Sequence, residues 1–153
     1  MNRSIVLDAG PLWLACSAVG KPLADACRAW LASVLTSGRE VFLPEIADFE
    51  VRRELLRRRA TGCIRRLDAL RRSLDFRAIE SPAMLLAAES WADLRRAGLS
   101  TADPLSLDAD CILAAQAVLC VPPGEIASIA TTNIRHLNRF PGINAEEWNK
   151  IAP

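Results

Sequence analysis

SIVLDAGPLWLAC, residues 4 to 16, changes character in its middle. Ser4 to Leu7 is a short β-branched run that reads as a strand, and Asp8 closes it. Gly10 and Pro11 then open a helix, with the proline in its first turn, where a missing N–H costs nothing. One acid therefore sits where a strand hands over to a helix.

Working outward, the same alternation recurs. PLADACRAWLASVLTSG (22–38) places Leu23, Ala26, Cys27, Trp30, Leu31 and Val34 at helical spacing, with Gly38 as the C-terminal stop. EVFLP (40–44) is a second strand. From Pro44, IADFEVRRELLRRRA predicts a helix up to a break at Thr61-Gly62, and CIRRLDALRRSL (63–74) resumes as a second arginine-rich helix. FRAIE (76–80) is a short strand. SPAMLLAAESWADLRRAGL (81–99) carries a capping Ser81, an early Pro82 and a late Gly98, the punctuation of another helix. LSLDADCILAAQAVLC (105–120) adds a further apolar helix, IASIATTN (126–133) a strand, and INAEEW (143–148) an edge strand. Strands alternating with helices of this length imply an α/β fold: a mostly parallel sheet covered on both faces.

The totals fit one domain spanning residues 1–153: 153 residues with 51% hydrophobic content supply a sizeable core. Five cysteines, an odd number without C-x-x-C spacing, lie at 16, 27, 63, 111 and 120. Cys16, Cys111 and Cys120 sit among apolar residues as reduced thiols do, which favours the cytoplasm. No run reaches the roughly 18 apolar residues that span a bilayer, and MNRSIVLD is too short for a signal peptide, so no membrane role is expected. A single histidine, His136, excludes a multi-histidine zinc site. The formal net charge of +1 conceals a stretch, residues 51–77, in which ten arginines face three acids, a local +7.

In parallel α/β sheets, ligands gather at the carboxyl ends of strands and at the helix starts beyond them. Asp8 and Asn133 both follow strands and should reach that rim, although each residue type also serves simply as a turn or cap. Glu50 shares a helix stripe with Ile46 and Ala47, which puts it on the buried face, and its i+4 neighbour is the like-charged Glu54, although Arg53 at i+3 offers it a partner. A buried acid needs a cation, a proton or a metal. Glu54, with Arg58 four residues on, reads as a surface ion pair. Asp108 and Asp110 lie at the expected mouth of the 105–120 helix, about 200° apart around its axis, so one should cap and one should bind. Oxygen ligands from four separate elements suit Mg²⁺ or Mn²⁺, ions whose enzymology centres on phosphates.

IVLDAGPL around Asp8, IADFEVRREL around Glu50, DADCILAAQA around Asp110 and IATTNIRHLNRF around Asn133 occur in that order across nearly the whole chain. In this the sequence resembles the PIN-domain nucleases. The resemblance implies a three-layer α/β/α sandwich and an endoribonuclease that hydrolyses RNA phosphodiester bonds by metal-activated water. It implies Asp8, Glu50 and Asp110 as metal-binding catalytic acids, and Mg²⁺ or Mn²⁺ as cofactor. Asn133 stands at a fourth position that is often an acid in the family, and an amide binds a metal more weakly. The pattern selects Asp110 as ligand and leaves Asp108 as a cap, or as an outer acid near the same helix dipole. Many members are toxins of bacterial toxin–antitoxin pairs, homodimers inhibited by a small protein, so the resemblance raises an antitoxin as partner.

An acidic pocket repels a polyanion, and the arginine stretch would recover affinity for RNA. Arg53 and Arg57, one and two turns beyond Glu50, are the expected nucleic-acid contacts, while most of the ten arginines read as a solvated face. His136, three residues after Asn133, is set outside the catalytic group. Thr131 and Thr132 offer hydroxyls at the same strand end, and Trp13, Trp30, Trp91 and Trp148 read as core or dimer contacts. The alternative to catalysis is a non-catalytic RNA-binding or assembly module on the same fold. A phosphatase or receiver-like domain fits poorly, since DAG replaces the D-x-D pattern.

Overall fold

The computed structural model describes residues 4–99 and 104–153. Its elements, in chain order, are β1 (Ser4–Leu7), α1 (Ala9–Cys16), α2 (Pro22–Thr36), β2 (Glu40–Pro44), α3 (Glu45–Arg57), α4 (Thr61–Ser73), β3 (Asp75–Arg77), α5 (Ser81–Arg96), α6 (Pro104–Leu119), β4 (Ala127–Thr131), α7 (Ile134–Leu137) and β5 (Ile143–Glu147). Five parallel strands form one sheet in the order β3-β2-β1-β4-β5. The first strand of the chain is thus the central one.

Side chains alternate across the sheet, because successive residues of a strand point to opposite faces. Ile5, Leu7, Val41 and Leu43 pack on one side with α1, α2, α3 and α4, in a core closed by Trp30 and Trp148. Val6, Phe42, Ile129 and Ala145 pack on the other with α5, α6 and Leu137 of α7. The three-layer α/β/α sandwich follows directly from strands that are apolar on both faces. No helix among the described residues is long and apolar enough to cross a membrane.

Three helix boundaries differ from the sequence expectation. The break between the arginine-rich helices comes before Thr61, not at Thr61-Gly62, because α3 ends in a left-handed cap. Arg59 takes φ 53°, its N–H donates to the Leu56 carbonyl, and the Ala60 N–H donates to the Leu55 carbonyl. That is the hydrogen-bond pattern glycine normally supplies. The same pattern ends α2 at Gly38 and α5 at Gly98, as the glycines foretell. Ser81 is the first residue of α5 and Glu80 precedes it, with no side-chain cap. Helix α6 begins at Pro104, so Asp108 lies in its second turn and does not cap it. The short strand expected at FRAIE is Asp75–Arg77.

Candidate functional site

Asp8 leaves β1 at its carboxyl end, and its backbone N–H donates to the Ala130 carbonyl at 3.0 Å, which carries the β1–β4 pairing one residue further. Its carboxylate does two jobs. Oδ1 accepts from the Ala9 N–H at 2.7 Å and caps α1, while Oδ2 accepts from the Thr131 hydroxyl at 2.6 Å. The Thr131 oxygen also accepts from the Asn133 N–H at 2.9 Å. Asp8, the end of β4 and the turn into α7 are therefore one hydrogen-bonded unit. Gly10 belongs to it sterically: a Cβ there would lie 2.4 Å from Thr132 Oγ1.

Two further acids face Asp8 from separate helices. Glu50 on α3 keeps its side chain 25% exposed, and burial, then the charges of Asp8 and Asp110, push its carboxyl up to about 7. The Arg53 guanidinium, 3.9 Å from Glu50 Oε1, opposes that rise only in part. Asp110 on α6 is pushed up to about 6 by burial and the charge of Asp8. His136 on α7 opposes this, with Nδ1 3.5 Å from Asp110 Oδ2. Asp8 is itself raised by burial, against the Thr131 and Ala9 hydrogen bonds that pull it down.

Asp108 goes elsewhere. It is exposed on the opposite side of α6, beside Met84, Trp91 and Cys111 in a cleft against α5, as the angle between the two acids requires. Asn133 has an exposed side chain, and what joins the cluster is its backbone N–H. Arg53 is 60% exposed beside Glu50. Arg57 is instead held by Glu54 through two hydrogen bonds, at 2.8 and 2.5 Å, and Arg58 reaches the same carboxylate.

Two features were set aside or missed by sequence reasoning. His136 lies against Asp110, a proximity its i+3 spacing from Asn133 only hinted at; its Nδ1 is sealed from solvent, with no hydrogen bond among the described residues. Asp48 is 3% exposed, more buried than any acid facing Asp8, yet it is fully paired. Arg52 grips it at 2.7 and 3.0 Å and also reaches Asp68 on α4 at 2.9 Å, with Arg71 at 3.6 Å from Asp48. This network clamps α3 to α4. The D-x-x-x-R spacing of Asp48 and Arg52 was its legible sign. The ten-arginine stretch accordingly divides, with Arg52, Arg57, Arg58, Arg66, Arg71 and Arg77 committed to partners within the fold.

Among the described residues, no three acid, histidine or cysteine side chains are close enough, as they stand, to hold a metal ion. The donor chemistry nevertheless suits a hard divalent cation. Three half-buried carboxylates, with the charge of Asp8 raising the proton affinity of Glu50 and Asp110, gain from a shared counter-charge, and their oxygens are the ligands such ions prefer.

No family model and no curated protein matches the chain. Solved structures do match it. The first is VapBC2 from Rickettsia felis bound to a DNA fragment from its promoter, with TM-score 0.70, 16% identity, and coverage of 95% of this chain and 98% of that one. The chain has the PIN fold. DNA-bound VapBC from Salmonella typhimurium matches with TM-score 0.61 and 18% identity, over the same 95% and 98% of the two chains. At such identities the likeness is one of architecture. Within the PIN fold, the Asp8–Thr131 unit lies where β1 meets β4, at the point where the strand order turns from descending to ascending.

Proposed function

We propose that this chain is a metal-dependent endoribonuclease. The observation that carries the reading is the meeting of Asp8, Glu50 and Asp110, from three elements, at the carboxyl rim of a PIN-fold sheet, with Glu50 pushed up to about 7 and Asp110 to about 6. Such repulsion is relieved by a proton or by a cation, and a divalent ion relieves it while leaving the carboxylates ionised as ligands. Asp8, Glu50 and Asp110 would hold Mg²⁺ or Mn²⁺, with Asn133 a weaker neutral neighbour. When bound, such an ion polarises a phosphate oxygen and acidifies water at neutral pH.

The chain's own groups do the rest. Thr131 fixes the rotamer of Asp8, so that one oxygen caps α1 while the carboxylate faces Glu50 and Asp110. Arg53, next to Glu50 and largely exposed, is placed to hold a backbone phosphate at the pocket's edge. His136 tempers the charge of Asp110 from the opposite side. The VapBC likeness makes a toxin with a small antitoxin partner, acting as a homodimer in the cytoplasm, the form of this activity we favour.

The decisive experiment is RNA cleavage by the purified chain. Products should form with added Mg²⁺ or Mn²⁺, vanish in chelator, and vanish in Asp8→Asn. Undiminished cleavage by that variant would remove the metal assignment. Asn133, an amide in place of an acid, favours one rival, an RNA-binding or assembly module; it predicts RNA binding without metal dependence and without products.

A further inference from the structure

Phe49 precedes Glu50 on α3 and is 52% exposed, an unusual setting for a large aromatic beside a cluster of acids. Arg53 ties the two together. Its guanidinium carbon lies 5.2 Å from the Phe49 ring centroid, and one of its nitrogens lies 3.9 Å from Glu50 Oε1. Phe49 also lines a cleft of about 470 Å³ between α3, α4 and the segment after β3. Its walls include Ile46, Ile79 and Phe49, and its rim carries Arg52 and Arg71. Arg71 in turn lies 3.7 Å over the Phe76 ring.

We propose that this cleft receives one unpaired nucleobase of a single-stranded RNA, with the Phe49 ring as its stacking wall. The chemistry selects a base over an aliphatic side chain. Aromatic faces rimmed by guanidinium groups bind flat, π-bearing rings that are linked to phosphates, and stacking of this kind tolerates any base. The polar groups lining the cleft are already engaged and leave its floor apolar. Glu45 Oε2 accepts from the Ile79 N–H at 2.7 Å, and Asp48 is held by Arg52. Glu50, Arg53 and Phe49 lie within about one helical turn of one another, roughly 5.4 Å along the axis, so a phosphate at Arg53 would place the adjoining base at Phe49. A paired base could not enter. The inference rests on the nuclease reading only for which phosphate is cleaved, and it makes Phe49 a positioning residue.

The test uses the full chain in chelator, with a single-stranded oligoribonucleotide carrying 2-aminopurine, and the variants Phe49→Leu and Phe49→Trp. Binding should quench the fluorophore in the wild type and in Phe49→Trp, while Phe49→Leu should lose the quench and bind about tenfold more weakly. The same sequence as a duplex should show no change on mixing. Equal affinity and quench in Phe49→Leu, an equal response from the duplex, or no binding of the single strand at all would each overturn the proposal and leave the cleft to a protein partner. Phe49-dependent quenching without any metal-dependent cleavage would support the base subsite and sink the nuclease reading. Cleavage by Phe49→Leu with wild-type KM and kcat would do the reverse.

Discussion

Thr131 and Asp8, 123 residues apart in the chain, share a 2.6 Å hydrogen bond that fixes the carboxylate at the centre of the acidic cluster. Thr131 is fully buried, and its oxygen is also the acceptor for the Asn133 N–H. Thr131→Val keeps the shape and removes both bonds. It should cost about 1 to 2 kcal/mol in denaturant unfolding. It should also raise the Asp8 carboxyl further, since the Thr131 bond is among the forces holding it down, and so weaken Mn²⁺ binding in calorimetry. Thr131→Ser should restore both. Full Mn²⁺ affinity in the valine variant would show that the hydroxyl does not orient Asp8.

Glu50 and Asp110 make the ion-free protein respond to pH in the sense opposite to most salt-bridged carboxylates. Their folded values, about 7 and about 6, lie above the ordinary 4.5 and 3.8. The folded state therefore binds more protons than the unfolded state between about pH 4 and pH 7, and stability must fall as pH rises through that window. Glu54, pulled down to about 2 by Arg57 and Arg58, has the reverse sign, and its contribution fades only as pH drops below 4.5. Urea midpoints in chelator should thus be lower near pH 7.5 than near pH 5.5, and added Mg²⁺ or Mn²⁺ should raise the former far more. A midpoint that climbs steadily to neutral pH without metal would contradict the clustering of the acids.

Arg53 and Arg57 should part company in RNA binding. Arg53 is exposed, with one long ion pair at 3.9 Å and the Phe49 ring beneath its guanidinium, whereas Arg57 is tied to Glu54 by two short hydrogen bonds. Arg53→Ala should weaken binding and lower the salt slope by about one phosphate contact. Arg57→Ala should change neither appreciably. Fluorescence anisotropy across a salt series measures both, and equal losses would return Arg57 to the RNA surface.

Asp48→Asn tests the clamp between α3 and α4. The substitution leaves Arg52 and Arg71 facing a neutral amide in a nearly sealed position, and should cost about 2 to 3 kcal/mol. Asp68→Asn, on a side chain 41% exposed, should cost under about 1 kcal/mol. Comparable losses in thermal or urea unfolding would mean that the buried half of the network is not the stabilising half.

The strand and helix order was legible because β1, β2 and β4 are short, mostly apolar runs and most boundaries carry a glycine or proline. It failed where the chain breaks that habit. The end of α3 is turned by Arg59, a residue whose sequence signal says helix, and only the hydrogen bonds from Arg59 and Ala60 reveal the stop. The start of α6 moved for a related reason. Reading Asp108 as a cap assumed that the apolar run marks the helix, whereas the polar turn before it is helical too.

Placement of the acids at one rim could be anticipated, since strand ends and helix starts converge in any parallel sheet. What could not be read was which arginine pairs with which acid. Arg52–Asp48 and Arg57–Glu54 follow helical spacing, but the reach of Arg52 to Asp68 and of Arg71 to Asp48 is set by how α3 packs on α4. His136 was undervalued for the same reason, because its neighbour Asp110 arrives from a different helix.

The strand order β3-β2-β1-β4-β5 also governs when a growing polypeptide acquires its chemistry. A ribosome emits Asp8 and Glu50 early, but β1 stays open along one edge until β4 emerges at Ala127–Thr131. Until then Asp8 has neither its Thr131 hydroxyl nor the Ala130 carbonyl that seats its backbone. A chain truncated before β4 would therefore carry every acid of the cluster without the partners that seat Asp8, so that under the proposed activity cleavage would have to wait for the last strands.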